Sequence, residues 1–189
     1  MYYLGSFINN ATELHPFFMG IIVSVIVGIL LTLPVSSAAI CAMIGISGLA
    51  GGAATVGCCC QMVGFAVMSF RENKWGGIIA QGLGTSMLQM GNIIKRPVIW
   101  LPTILSSAIL GPVSTLVFKM PNTGVSAGMG TCGLVGPLGV LTSVPHMDFK
   151  MWLGLILLCF ILPAAITLIF SEIMRKLKWI RPDDLKLEL

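Results

Sequence analysis

Apolar residues fill this chain in long blocks that charge interrupts at only a few places. No Asp, Glu, Lys or Arg occurs between Glu13 and Arg71, and further uncharged runs cover 75–94, 97–118, 120–147 and 151–171. A helix needs about 20 apolar residues to cross a hydrocarbon core of roughly 30 Å. Several of these runs suffice, and the first has room for more than two crossings. Backbone groups find no hydrogen-bond partner in lipid, which leaves helices or a closed barrel as spanning forms. Barrel strands alternate polar and apolar residues over about ten-residue segments. Ile21-Ile22-Val23-Ser24-Val25-Ile26-Val27 does not alternate. The pattern therefore predicts an all-α integral membrane protein with about five transmembrane helices.

The first predicted helix runs from Pro16 to Pro34. A second, over 37–50, is dense in small residues of the kind that let helix backbones approach closely in a bilayer. Gly51-Gly52 reads as a turn, followed by a third helix from Ala53 to Phe70 and a charged loop at Arg71–Lys74. In 75–94, Gln81, Thr85, Gln89 and Asn92 recur at spacings of four, four and three, which puts them on one helical face. This amphipathic helix either lies in the interface or lines an aqueous cavity. The basic residues at both of its ends favour a helix on the cytoplasmic side that does not cross.

Val98 to Phe118 and Trp152 to Phe170 read as the remaining crossings, with a polar, basic tail from Glu172. Between them, residues 120–142 carry glycine at 124, 128, 130, 133, 136 and 139 and proline at 121 and 137, yet no charge. Irregular backbone at membrane depth survives only under protein cover or beside a water-filled cavity. The segment is therefore read as a re-entrant hairpin, of the type that places solute or coupling ions in transporters. A tightly packed, glycine-rich spanning helix is the alternative arrangement.

Composition agrees, with 56% apolar and only 10% charged residues against about 25% charged in soluble domains. The location of the charges matters more. Of the eleven Lys and Arg residues, all but Lys119 and Lys150 lie in the connections at 71–74 and 95–96 or in the tail. Short basic loops stay cytoplasmic, so the C-terminus is predicted inside the cell and Glu13 outside. This divides the chain into a transmembrane domain, 1–174, and a basic cytoplasmic tail, 175–189. The first apolar run has no basic leader and does not read as a cleavable signal. An external amino terminus is the arrangement expected of the second half of a longer protein. No basic face on a soluble module is present to suggest nucleic-acid binding.

Cys58-Cys59-Cys60 are consecutive in an apolar run and point about 100° apart on a helix, which suits packing rather than metal binding. No metal or cofactor site is predicted. His15 and His146 flank membrane segments as interface residues. No acid–base pair, nucleophilic triad or P-loop is found, so no catalytic residues are assigned.

Leu33-Pro34-Val35-Ser36-Ser37-Ala38-Ala39-Ile40, Gly48–Ala54, Gly82–Asn92 and Arg96-Pro97 resemble the enzyme IIC-like proteins of the bacterial phosphotransferase system, in particular the perfringolysin O regulator-like group. The resemblance is sharpest in Pro121-Asn122-Thr123-Gly124-Val125-Ser126-Ala127-Gly128-Met129-Gly130 and Gly133-Leu134-Val135-Gly136-Pro137. It spans roughly 13–142 and corresponds to the carboxy-terminal half of the family. It implies a component of the bacterial plasma membrane that binds a sugar and carries it inward while cytosolic phosphocarrier components relay phosphate from phosphoenolpyruvate. It also implies a homo-oligomer or a separate amino-terminal half. The acidic hairpin residue and embedded histidine of sugar-binding relatives are missing, since no Glu lies between 73 and 171.

Sugar recognition calls for a few neutral amides and hydroxyls in a mostly apolar cavity. Asn122, Thr123 and Ser126 of the hairpin, the backbone at Gly128, and Gln89 and Asn92 of the amphipathic face are the candidates. A non-transporting membrane regulator or assembly subunit with the same fold is the alternative function.

Overall fold

Helix α4, Gly48–Met68, forms the axis around which the other elements of the computed structural model are arranged. The structure describes residues 2–144 and 148–187, and the described residues contain no strand. His146 lies outside them. Around α4 stand α1 (Tyr2–Leu14), α2 (Pro16–Thr32), α3 (Ser37–Ile44), α5 (Phe70–Ile79), α6 (Met90–Lys95), α7 (Pro97–Phe118), α8 (Gly124–Ala127), α9 (Cys132–Ser143) and α10 (Phe149–Lys176).

Three of these, α4, α7 and α10, are long and apolar enough to cross a membrane, and α2 and α9 are shorter apolar helices. Of the apolar window in α4, 94% is buried, against 33% in α10. The central helix is thus the one richest in Gly, Ala and Cys, while the Leu- and Ile-rich α10 turns its bulk outward. Small residues let the neighbours close in. A Cβ at Gly57 would overlap the carbonyl of Ser24 on α2, and one at Gly111 on α7 would overlap that of Gly20. Where α2 meets α7, Ser24 Oγ donates to the carbonyl of Ser107 at 2.8 Å.

Contacts fix the directions. Ser24 and Thr32 of α2 meet Gly57 and Gln61 of α4 in the same order, so these helices run parallel. Thr103 and Ser114 of α7 meet Gln61 and Gly52, so α7 runs the opposite way. On α10, Gly154 packs on Phe118 and Arg175 donates to the Met68 carbonyl at 3.0 Å, so α10 runs with α4. Two of the helices widen by one turn beside a proline, at Ser114–Phe118 near Pro112 and at Leu157–Ile161 before Pro163. Proline cannot donate to the helical ladder, and a widened turn accommodates the defect.

Two boundaries differ from those expected. The break after α3 falls at Gly45, whose left-handed φ of 79° closes the helix with its N–H on the Cys41 and Ala42 carbonyls. The expected turn at Gly51-Gly52 is instead helix interior, because those glycines serve contact rather than chain reversal. With eight residues, α3 is about 12 Å long. The expected continuous amphipathic helix over 75–94 is broken. It passes into a wide turn at Ala80–Gly84, an extended Thr85 (φ −156°, ψ 142°) and a tight turn at Ser86–Gln89.

The consecutive cysteines divide between two clusters. Cys58 packs with Cys41, Val23 and Val27, whereas Cys59 and Cys60 pack with Leu110, Leu158 and Cys159.

At one end of the bundle the segment after α10 folds back over the ends of α4 and α6. Ile180 and Leu185 are buried with Phe65, Met68, Ile93 and Ile99. Asn73 donates to the Leu185 carbonyl at 2.7 Å and accepts from Leu187 N at 2.8 Å. Arg96 pairs with Asp184 at 3.2 Å and Arg175 with the nearly buried Glu72 at 2.8 Å. This end also carries Arg71, which pairs with Glu172 at 2.9 Å.

Candidate functional site

Two chain reversals meet beside the middle of α4. The first begins where α7 ends at Lys119 in a left-handed conformation (φ 48°). Extended backbone then runs alongside the first turns of α4, with Asn122 N donating to the Gly48 carbonyl at 3.2 Å and Gly124 N to that of Ile46 at 3.0 Å. Gly51 and Gly52 make the approach possible, since a Cβ on either would overlap the carbonyl of Asn122 or Met120. The strand-like stretch passes through α8, and Gly128 offers its carbonyl to Ser37 Oγ at 2.7 Å. Gly130, at φ 55°, rests on Cys58.

The chain reverses at Gly133 and Leu134, both left-handed (φ 52° and 60°), in the first turn of α9, and the rest of α9 returns along the path of entry. Gly136 N donates to the Gly130 carbonyl at 2.9 Å. Gly139 sits against Ser126 and the Asn122 side chain, where a Cβ would overlap both. Asn122 is the staple. Fully buried, it donates to Thr55 Oγ1 at 2.7 Å and to the Gly136 carbonyl at 3.0 Å, and it accepts from Thr123 N at 2.8 Å and Ser126 Oγ at 2.7 Å.

The second reversal comes from the basic end. After a break at Lys74 (φ 51°), α5 and the turn at 80–84 climb along α4 until Gly82 lies against Ala66. Thr131, next to the tip of the first reversal, donates to the Gly82 carbonyl at 2.6 Å. Gln81 is buried and donates to Ser69 Oγ at 2.8 Å. Thr85 caps the following turn by accepting from Met87 N.

The predicted residues separate into two groups. Asn122, Thr123, Ser126 and Gly128 lie together on the first reversal, with Thr123 exposed and Gly128 buried. Gln89 and Asn92 are elsewhere, because the break at Thr85 turns them from the expected shared face toward the basic end. Gln89 donates to the Leu185 carbonyl at 3.0 Å, and Asn92 to Gln89 Oε1 at 2.8 Å and the Lys186 carbonyl at 2.9 Å. His15 is exposed at the start of α2.

Sequence reasoning missed a polar network at the bundle centre. Gln61 Oε1 accepts from Trp100 Nε1 at 2.9 Å, Thr103 Oγ1 at 2.9 Å and Thr32 Oγ1 at 3.4 Å. Thr32 and Ser86 hydroxyls are 2.9 Å apart. The available signal was the single amide in the uncharged run from 14 to 70, a residue type expensive to bury without purpose.

A family model described as "Phosphotransferase system, EIIC" matches residues 1–187. No curated protein and no solved structure matches the chain.

Proposed function

The chain belongs to the phosphotransferase system EIIC family, and from that premise we propose that it binds a sugar-like solute and carries it across the plasma membrane. Cytosolic phosphocarrier components would meet it at the basic end and phosphorylate the solute as it emerges. In this reading residues 1–174 are the membrane domain, the segment from 175 covers its cytoplasmic face, and the residues after α7 form a re-entrant hairpin from the outer side. Helices α2, α4 and α10 pass inward and α7 outward. Short α3 and its extended flanks make the return between α2 and α4, which keeps five passes. The placement of Arg71, Lys74, Lys95, Arg96 and the tail at one end supports a cytoplasmic assignment for that end.

The observation that carries the reading is the meeting of two broken helices at Thr131 and Gly82, beside a buried polar network. Irregular backbone and neutral hydroxyls inside an apolar bundle suit a polyhydroxylated solute. Thr123 and the backbone near Gly128 are the proposed solute contacts on the hairpin, with Asn122 and Ser126 holding its shape. Gln89 and Asn92, bonded to the tail, sit at the inner exit.

The same geometry supports a second reading as a non-transporting regulator. Asn122 spends its amide hydrogen bonds within the hairpin, and Asn73, Gln89 and Asn92 hold peptide backbone rather than leaving free groups. Uptake of labelled neutral sugars into proteoliposomes, with and without the phosphorylating components, separates the two. The translocator reading expects uptake that depends on phosphorylation. Absence of uptake, together with no thermal stabilisation by any sugar tested, would leave the regulator.

A further inference from the structure

Gln61 has one half of its amide crowded and the other empty. Its Oε1 faces three donors, yet its Nε2 is buried without a partner. The indole N–H of Trp100 can only donate, so the atom 2.9 Å from it must be the oxygen. The nitrogen therefore faces the other way with two N–H groups unspent, and a buried donor without a partner is costly.

Its neighbours share the condition. Gly64, nearly one turn on from Gln61, packs against the side chains of Thr103 on α7 and Thr167 on α10. The hydroxyl of Thr167 and that of Ser106, nearly one turn along α7 from Thr103, are likewise buried and unpaired. Structural polar groups in a bilayer are normally satisfied by neighbouring helices. Gln61, Ser106 and Thr167 thus present unspent polar groups from helices packed around one stretch of α4, which suits a guest rich in acceptors and donors.

We propose that Gln61 is a specificity-determining solute contact, its Nε2 donating to a hydroxyl or ring oxygen of a neutral sugar held among α4, α7 and α10. The inference rests on the translocator reading. It assigns the structure to a closed state in which the turn Ser86–Gln89 covers the site through the Ser86–Thr32 hydrogen bond. Exit toward the basic end requires that turn to move, and Gln89, bonded to the Leu185 carbonyl, resists the movement.

Trp100 supplies a local reporter because its indole bonds the same amide. Replacing the exposed Trp75, Trp152 and Trp179 by Phe leaves it as the sole tryptophan. In this protein, titration with a panel of neutral hexoses, N-acetylhexosamines and disaccharides should change Trp100 emission with a saturable midpoint for at least one sugar. Gln61→Glu, kept neutral by burial at this position, preserves the acceptor for Trp100 and exchanges the two amide donors for a single hydroxyl. Gln61→Met removes both functions. Each should raise that midpoint at least tenfold, and in Gln61→Glu the apparent Tm should stay within a few degrees of the parent. Midpoints within twofold of the parent would overturn the assignment of Gln61 while leaving transport standing. If no sugar moves Trp100 although uptake occurs, the solute binds elsewhere and the inference fails. If neither emission nor uptake responds, the translocator reading falls and takes the inference with it.

Discussion

The two chain reversals are built on opposite principles. Residues 119–143 are held by themselves, by α4 and by α3, whose Ser37 donates to the Gly128 carbonyl. Glycine removes the side chains that would keep the two arms apart, and one buried asparagine ties entry to return. Residues 74–95 are held by distant parts of the chain, including the tail carbonyls at 185 and 186 and Thr32 on α2. The first reversal is therefore rigid by construction. The second owes its position to contacts that can be exchanged, which on the translocator reading makes it the part expected to move.

Three substitutions probe that contrast, in decreasing order of effect. Gly52→Leu forces a side chain into the Met120 carbonyl and displaces the extended stretch from α4. It should cost about 3 kcal/mol or more, near the upper range for overpacking, and is expected to lower the apparent unfolding free energy in mixed micelles or abolish recovery of folded protein. Normal stability would mean that 120–123 does not lie on α4. Asn122→Ala removes the staple and leaves Thr55 and the Gly136 carbonyl without their partner. The expected loss is about 2 kcal/mol, accompanied by faster amide exchange over 122–139. Gln89→Ala should cost only about 1 kcal/mol, with faster exchange confined to 85–95 and 180–187. A global effect from that change would contradict the assignment of the second reversal as the exchangeable one.

Much of the fold class was legible because lipid imposes a simple rule on charge. The gaps between Glu13 and Arg71 and across 97–118 and 151–171 have no soluble explanation. Glycine and proline also marked 120–142 as backbone unsuited to one regular helix. Glycine is ambiguous, however, because it signals both turns and close approach. Gly51-Gly52 was read as a turn, but its role depends on Met120 and Asn122, some seventy residues away in sequence. The spacing of Gln81, Thr85, Gln89 and Asn92 implied a shared face only while the helix stayed intact, and the extended Thr85 breaks it. Leu185, one apolar residue among charges, carried no sign that it fills a pocket between Phe65 and Ile93. Gln61 was a lone amide in an apolar run, and its partners Trp100 and Thr103 come from another helix altogether.

The doubling-back of residues 120–143 is tested most directly by bridging Val125→Cys and Leu138→Cys with a short bifunctional maleimide in membranes, the product identified by peptide mapping. Both positions are exposed, and the residue after each, Ser126 and Gly139, meets the other across the reversal, so ready formation of the 125–138 bridge is predicted. In a single continuous helix thirteen residues would hold the pair about 20 Å apart. Failure of this pair to cross-link, with both thiols shown to be reactive, would contradict the fold-back and the solute site drawn from it.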